Sequence, residues 1–292
     1  MKKDTIISLV SIPVVVLIAG GLALAGSQGG VIVAGSVPLF ALCVAIAFAV
    51  QWIVYVPSFI WKTEKFYDLT GSITYTAVIL TALVLAEKHD QRSILLTGLV
   101  LIWTFRLGFF LFRRVMRAGE DRRFREIKHS ATRFLLAWTL QGLWVSFTAA
   151  AALGAITAGT TAAFDAFTVA GLCVWLTGFG FEAVADYQKN SFAANPANAG
   201  KFISTGLWSI SRHPNYFGEI VIWTGIALIA FPALEGWRLV TLLSPVFVAL
   251  LITRISGVPL LEEYADKTWG GQEEYERYKK TTPVLVPGLP IY

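Results

Sequence analysis

The chain has 292 residues, 55% of them hydrophobic and only 15% charged, with a mean hydropathy of +0.63. Those values lie outside the range of soluble domains and point to a membrane protein with many spans. The net charge of +5 does not call for a nucleic-acid partner, because in a membrane protein a basic excess marks the cytoplasmic loops.

The first apolar run, Thr5 to Ala25, follows Met1-Lys2-Lys3 and has the outward form of a signal peptide. It is long for one, no cleavage context follows at AGSQGG, and another span begins at once, so a retained first helix is expected. Further spans are expected at about Pro38–Trp61, Ile73–Ala86, Ile94–Phe112, Phe134–Ile156, Phe167–Ala185, Tyr216–Phe231 and Leu239–Ile255. The expected fold class is therefore all-α: a polytopic transmembrane helical bundle of about eight spans. After Ser256 the chain is too polar to span and carries apolar residues at near-helical spacing, which predicts a short cytoplasmic C-terminal amphipathic segment of one or two helices.

An even span count puts both termini on one side. Of the 24 Lys and Arg residues, Lys88, Arg92 and Arg238 fall on the other side and nearly all the rest fall with the termini. The positive-inside rule then makes both termini cytoplasmic, together with the loops Lys62–Lys65, Arg113–Arg133 and Asp186–Arg212. The two cysteines, Cys43 and Cys173, lie in apolar runs and support neither a disulfide framework nor a thiolate metal site. His89, His129 and His213 show no metal-ligand spacing, so no metal is expected.

Five polar groupings carry the functional reading. Between the second and third spans, KTEKFYDLTGSITY places Asp68 at a helix entry, where an N-cap is the plain explanation. After the fourth span, Arg122, Arg123 and Arg125 read as anchors whose side chains reach lipid head groups. Arg106 sits inside the span, where lipid exposure is costly and a buried partner or ligand is expected. At the cytoplasmic end of the sixth span, Glu182 and Asp186 are four apart and share a helix face. They can hold ribose hydroxyls, pair with Arg106, or act as acid and base.

The segment SRHPNYFGE concentrates Arg212, His213, Asn215, Tyr216 and Glu219 around Pro214 at the start of a helix, whose first free N–H groups favour an anion. The tail adds Arg254, Glu262, Glu263, Tyr275 and Tyr278, with an amphipathic cap as the plain alternative.

FEAVADYQK, TGLWSISRHPNYFGE, and SGVPLLEE followed by YERYKKTTPVLVP resemble the C-terminal domain of the steroid 5-alpha-reductase family, in its bacterial branch. A weaker echo, RLGFFLFRR and then GEDRRF, lies upstream, so the likeness runs from about Arg106 to Pro287. Similar motifs occur in the sterol C14-reductases and the isoprenylcysteine carboxyl methyltransferases, where one architecture holds NADPH or S-adenosylmethionine. FEAVADYQK and the NYFGE continuation resemble the reductase side. The resemblance implies N-terminal helices, residues 1–105, on the lipid-substrate side and a C-terminal membrane domain, residues 106–292, with a cytoplasmic cofactor pocket.

It further implies that Asp186 and Glu182 approach the adenosine portion of NADPH, while Arg212, Asn215 and Arg254 contact phosphates or the nicotinamide ribose. Tyr216, Glu219, Glu262 and Tyr278 complete the wall, and Arg106, Lys189 and His213 belong to the same cofactor-binding set. Family members acting on steroid enones carry a Gln-Glu pair before a Pro-Ser-Phe-like turn, and a later tyrosine. Here Val54 and Tyr55 precede Val56-Pro57-Ser58-Phe59, and Trp103 takes the tyrosine's place. Tyr55 or Asp68 is the expected replacement acid.

The expected activity is NADPH-dependent reduction of a C=C bond in an apolar, steroid-like or other lipid enone drawn from the bilayer of a bacterial inner membrane. Membrane lipids are the expected partners. A methyltransferase using S-adenosylmethionine and a non-catalytic lipid-binding protein are the alternatives.

Overall fold

The computed structural model describes residues 3–161 and 163–288. The chain is a polytopic helical bundle: among the described residues seven helices are long and apolar enough to cross a membrane, or eight if one bent pair is a single span. Packing divides it at Thr168/Val169, with Ile229–Ser244 belonging to the first unit.

The first unit opens with α1 (Lys3–Ser27), a minimal hairpin of β1 (Ile32–Val33) and β2 (Val37–Pro38), and α2 (Leu39–Ile60). It continues with α3 (Tyr67–Leu85), α4 (Gln91–Ala118), and the bent pair α5 (Ala131–Thr148) and α6 (Ala150–Ile156), which meet at 55°. Hydroxyls inside these helices bond back to their own backbone, as Thr74 does to Thr70 O and Thr139 to Leu135 O. In hydrocarbon no water would satisfy them otherwise.

Arg92, at the start of α4, is buried. Its guanidinium donates to the carbonyls of Ile229 and Ala163 and lies 3.2 Å from Asp165, tying the last turn of the helix that ends at Ala230 to the loop around Ala163.

Several expected boundaries change. Asp90 accepts from Ser93 N at 2.7 Å and starts α4 earlier than Ile94. The third span begins at Tyr67 instead of Ile73, because the polar YDLTGS winds as helix with Thr70 Oγ1 bonded to Phe66 O. Asp68 is consequently not an N-cap: Phe66 holds that position, and Asp68 lies inside the first turn. Pro57-Ser58-Phe59 forms no turn, since Pro57 lies within the last turns of α2 and the chain turns after Trp61.

Arg123 and Arg125 bond to carboxylates of their own loop, Asp121 and Glu120, because acids adjoin them in sequence. The side chain of Arg122 lies outside the described residues, as do residues 289–292 of the proline-rich end.

The second unit holds most of α7 (Ala166–Ala194) and α8 (Pro214–Ala230). The expected last span is not uniform: it runs as a 3-10 stretch (Gly236–Leu243), then α9 (Ser244–Leu250), then a π turn (Leu251–Ile255). The polar tail forms two short helices, α10 (Gly257–Trp269) and α11 (Glu273–Thr281).

Candidate functional site

The site is organised by the contact between α7 and α8. Gly178 and Gly218 admit the two backbones so closely that a Cβ on Gly218 would stand 2.6 Å from Glu182 N and from Gly178 O. A Cβ on Gly225 would meet Gly171 O at 2.7 Å. Gly171 and Gly178, like Gly218 and Gly225, are seven apart, which keeps each pair on one helix face. This seam buries Glu182 and Asp186 on α7 and Glu219 on α8.

Beyond the seam, α7 carries the connecting segment. Trp208 Nε1 donates to Ala185 O at 3.1 Å, and Leu207 N donates to Gln188 Oε1 at 2.9 Å. Gly206, at a φ of +63°, is required there, because a Cβ would collide with the Gln188 amide. Lys189 Nζ lies 4.7 Å from the centre of the Trp208 ring, a cation held over an aromatic face.

At the head of α8, His213 occupies the cap position: its carbonyl accepts the first helical bond from Phe217 N, and its own N–H donates to Ser211 Oγ. Pro214 follows as the first helical residue, where a missing N–H costs nothing. Glu262 on α10 accepts from both neighbours, from Arg212 Nη1 at 2.5 Å and from His213 Nε2 at 2.7 Å. One carboxylate thereby clasps the sequence pair Arg212-His213. His213 also stacks on Tyr216, whose ring lies against Gly257.

The clasp is held from behind. Asp266, one turn after Glu262, accepts from Tyr275 OH at 2.9 Å and Lys279 Nζ at 2.6 Å. Tyr278 OH donates to Trp208 O at 2.6 Å. The chain after α11 pairs with the segment before α8: Arg212 N donates to Pro283 O, Gly288 N to Ile210 O, and Ser211 Oγ to Leu285 O. Phe202 packs among Trp269, Tyr275 and Tyr278. Burial pushes the His213 imidazole below its usual range, against the pull of Glu262.

The structure thus brings Lys189, Arg212, His213, Tyr216, Glu262 and Tyr278 into one neighbourhood, with the buried carboxylates of α7 along the seam. Asn215 is half-buried on the first turn of α8, and Arg254 is exposed in the π turn. Tyr275 of the tail also joins the site, together with Asp266, Lys279 and Trp208, which the sequence alone did not mark. The four-residue spacings Glu262–Asp266 and Tyr275–Lys279 were the available signal.

In the first unit, Arg106 is half-buried on α4. Tyr55 donates its hydroxyl to Ala131 O at 3.1 Å and stacks on Phe59, while Asp68 lies 3.4 Å from Arg123 Nη2. Trp103 is buried edge-on to Tyr75. Glu64 links the loops of this unit, accepting from Lys128 Nζ at 2.8 Å and Asp121 N at 3.0 Å.

Two hollows, of 490 and 340 Å³, open on the first unit: one between α1 and Trp237, the other between α1 and α5 beside Arg133. Neither includes a residue of the expected cofactor set.

Helical membrane architecture with a polar, basic clasp at the head of one span defines the class. Within that class the chain belongs to the family described as "Protein of unknown function (DUF1295)", which matches residues 53–282. It is 30% identical over 129 residues to the probable O-methyltransferase ustE of Ustilaginoidea virens, covering 44% of this chain and 43% of that protein. It is 26% identical over 214 residues to the uncharacterized protein C594.04c of Schizosaccharomyces pombe, covering 61% and 62%. The chain thus spans less than two thirds of the length of these curated relatives. No solved structure matches it.

Proposed function

We propose that this protein is a membrane-embedded reductase, similar to the steroid 5-alpha-reductases, that uses NADPH to reduce a C=C bond of an apolar enone. The clasp of Arg212 and His213 by Glu262, with Lys189 and Lys279 close by, is the observation that carries this reading, because a nucleotide bearing several phosphates needs cations fixed on a rigid support. The residues fit such a group: Arg212 Nε and His213 Nδ1 are buried without a hydrogen-bond partner in the protein. Since His213 Nε2 meets a carboxylate, its neutral ring leaves Nδ1 as an acceptor, so the pair offers one donor and one acceptor to a sugar-phosphate.

NADPH, when bound, supplies the hydride. Arg212 and Lys189 hold its charge, Glu182 and Asp186 accept from ribose hydroxyls, and the strap after Pro283 keeps the head of α8 in place. Tyr55 or Asp68 is the candidate acid of this reading. We place the protein in a bacterial inner membrane with both termini in the cytoplasm.

A methyltransferase using S-adenosylmethionine is the second reading, favoured by the printed name of the Ustilaginoidea virens relative. Thermal unfolding in detergent separates the two, because a ligand that binds only the folded state raises its melting temperature. NADPH raises it under the first reading and S-adenosylmethionine under the second, and Arg212→Ala abolishes the NADPH response. Tyr55→Phe spares that response and lowers turnover.

A further inference from the structure

The hollow between α1 and α5 takes no part in the chemistry above, and its lining is sorted by polarity. Arg133, Leu136, Ala137 and Leu140 follow one another at three- and four-residue steps, so they share one face of α5. Arg133 heads that face, and the three apolar residues run away from it along about 10 Å of helix. Ile7 and Ser8 line the hollow from α1, and Ile127 lines it from the segment before α5.

The floor is firm and the rim is open. Ile127 and Ala137 pack against the buried cluster of Phe124, Phe134 and Trp138, which Tyr67 braces with ring contacts to Phe124 and Trp138. Ile7 and Leu140, in contrast, are exposed.

Depth and charge define the occupant. Ile7 and Ser8 lie in the second turn of α1 and Arg133 in the first turn of α5, so the hollow sits where two spans begin. That is the level at which an acyl chain meets its head group. Among the described residues no carboxylate lines it, so its lining is cationic at one end and apolar along the rest. A soluble anion would leave the apolar stripe unmatched. A neutral lipid would bring nothing to the guanidinium, whose several N–H donors one partner within the protein does not exhaust.

We propose that this hollow binds an anionic phospholipid, with the phosphate on Arg133 and one acyl chain along Leu136, Ala137 and Leu140. A planar guanidinium takes two phosphate oxygens in parallel bonds, which suits it to this end of the stripe. The site lies in the first unit alone and holds whichever cofactor the second unit takes.

The test uses the full-length protein in a non-ionic detergent without any nucleotide. It is titrated with dioctanoyl phosphatidylglycerol, with dioctanoyl phosphatidylcholine and, separately, with sodium decanoate and inorganic phosphate. The melting temperature rises most with phosphatidylglycerol, because a ligand of the folded state alone stabilises it. Phosphatidylcholine, whose own ammonium offsets its phosphate, shifts it less. Arg133→Gln weakens the phosphatidylglycerol response by about tenfold, as loss of a charge-assisted bond requires, and Arg133→Lys restores part of it. Ala137→Leu, which fills the hollow and keeps the charge, weakens the response too and guards against a folding defect in the first variant. Equal shifts by the two lipids, a shift by decanoate or inorganic phosphate as large as that by phosphatidylglycerol, no shift by any of them, or an undiminished response in both Arg133→Gln and Ala137→Leu would overturn the proposal.

Discussion

Glu262 accepts a hydrogen bond from His213 Nε2 at 2.7 Å across a sequence separation of 49 residues, and its other oxygen takes Arg212. This contact joins the polar tail to the head of α8, so the site and the tail's fold depend on one carboxylate. Glu262→Gln should remove the charge from both contacts and leave a largely buried guanidinium without its counter-ion. The expected loss is about 1–3 kcal/mol of stability, moderated by the partial exposure of Glu262. Denaturant-induced unfolding of the variant in detergent checks it.

The buried imidazole gives the fold a pH signature. Burial holds His213 below its ordinary 6.5, and the bond to Glu262 only partly offsets that, while Lys189 and Arg212 push the same way as burial. The unfolded chain therefore takes up this proton at higher pH than the folded one. Stability should be at its full value above about pH 6.5 and fall as pH drops through the window below it, because the unfolded state binds more protons there. His213→Gln should flatten this part of the profile when melting temperature is followed against pH.

The glycine seam makes a paired prediction. Gly218→Ala puts a methyl 2.6 Å from backbone atoms of α7 that cannot move singly, and should cost about 1–3 kcal/mol or more. Gly180→Ala, on the same α7, meets nothing within 4 Å and should stay within about 1 kcal/mol, helped by alanine's helix propensity. Melting temperatures of the two variants, measured side by side, decide it.

Arg92 offers a prediction far from the clasp in sequence. Its planar fork serves two carbonyls and Asp165 together, which a lysine ammonium does not reproduce. Arg92→Lys should cost about 2–4 kcal/mol through the carbonyls left unmet, with nucleotide affinity unchanged. Unfolding and ligand titration on the same preparation separate these outcomes.

Much of this architecture was legible from hydropathy, because hydrocarbon forces every backbone polar group into an internal bond and so fixes span positions coarsely. The exact ends were not, since Asp90 and Thr70 extend helices with side-chain bonds that hydropathy does not register. The Arg212-His213 cluster stood out because its charges are dense for a span entry. Its counter-ion partner Glu262 carries no sequence signal of that pairing, as nothing local links residues 49 apart. Bonds such as Gln51–Thr74 and Gln141–Tyr67 were invisible for the same reason: isolated amides in apolar runs carry no periodic signal, and only the meeting of α2, α3 and α5 pairs them.

The central claim is that the second unit grips a phosphorylated nicotinamide nucleotide beside Trp208. Energy transfer from tryptophan to bound NADPH tests it most directly: nucleotide fluorescence excited through the protein should rise and saturate as NADPH is added, and weaken by about tenfold in Lys189→Ala. A signal that never rises at saturating NADPH, from a protein whose melting temperature responds to S-adenosylmethionine instead, would contradict the account.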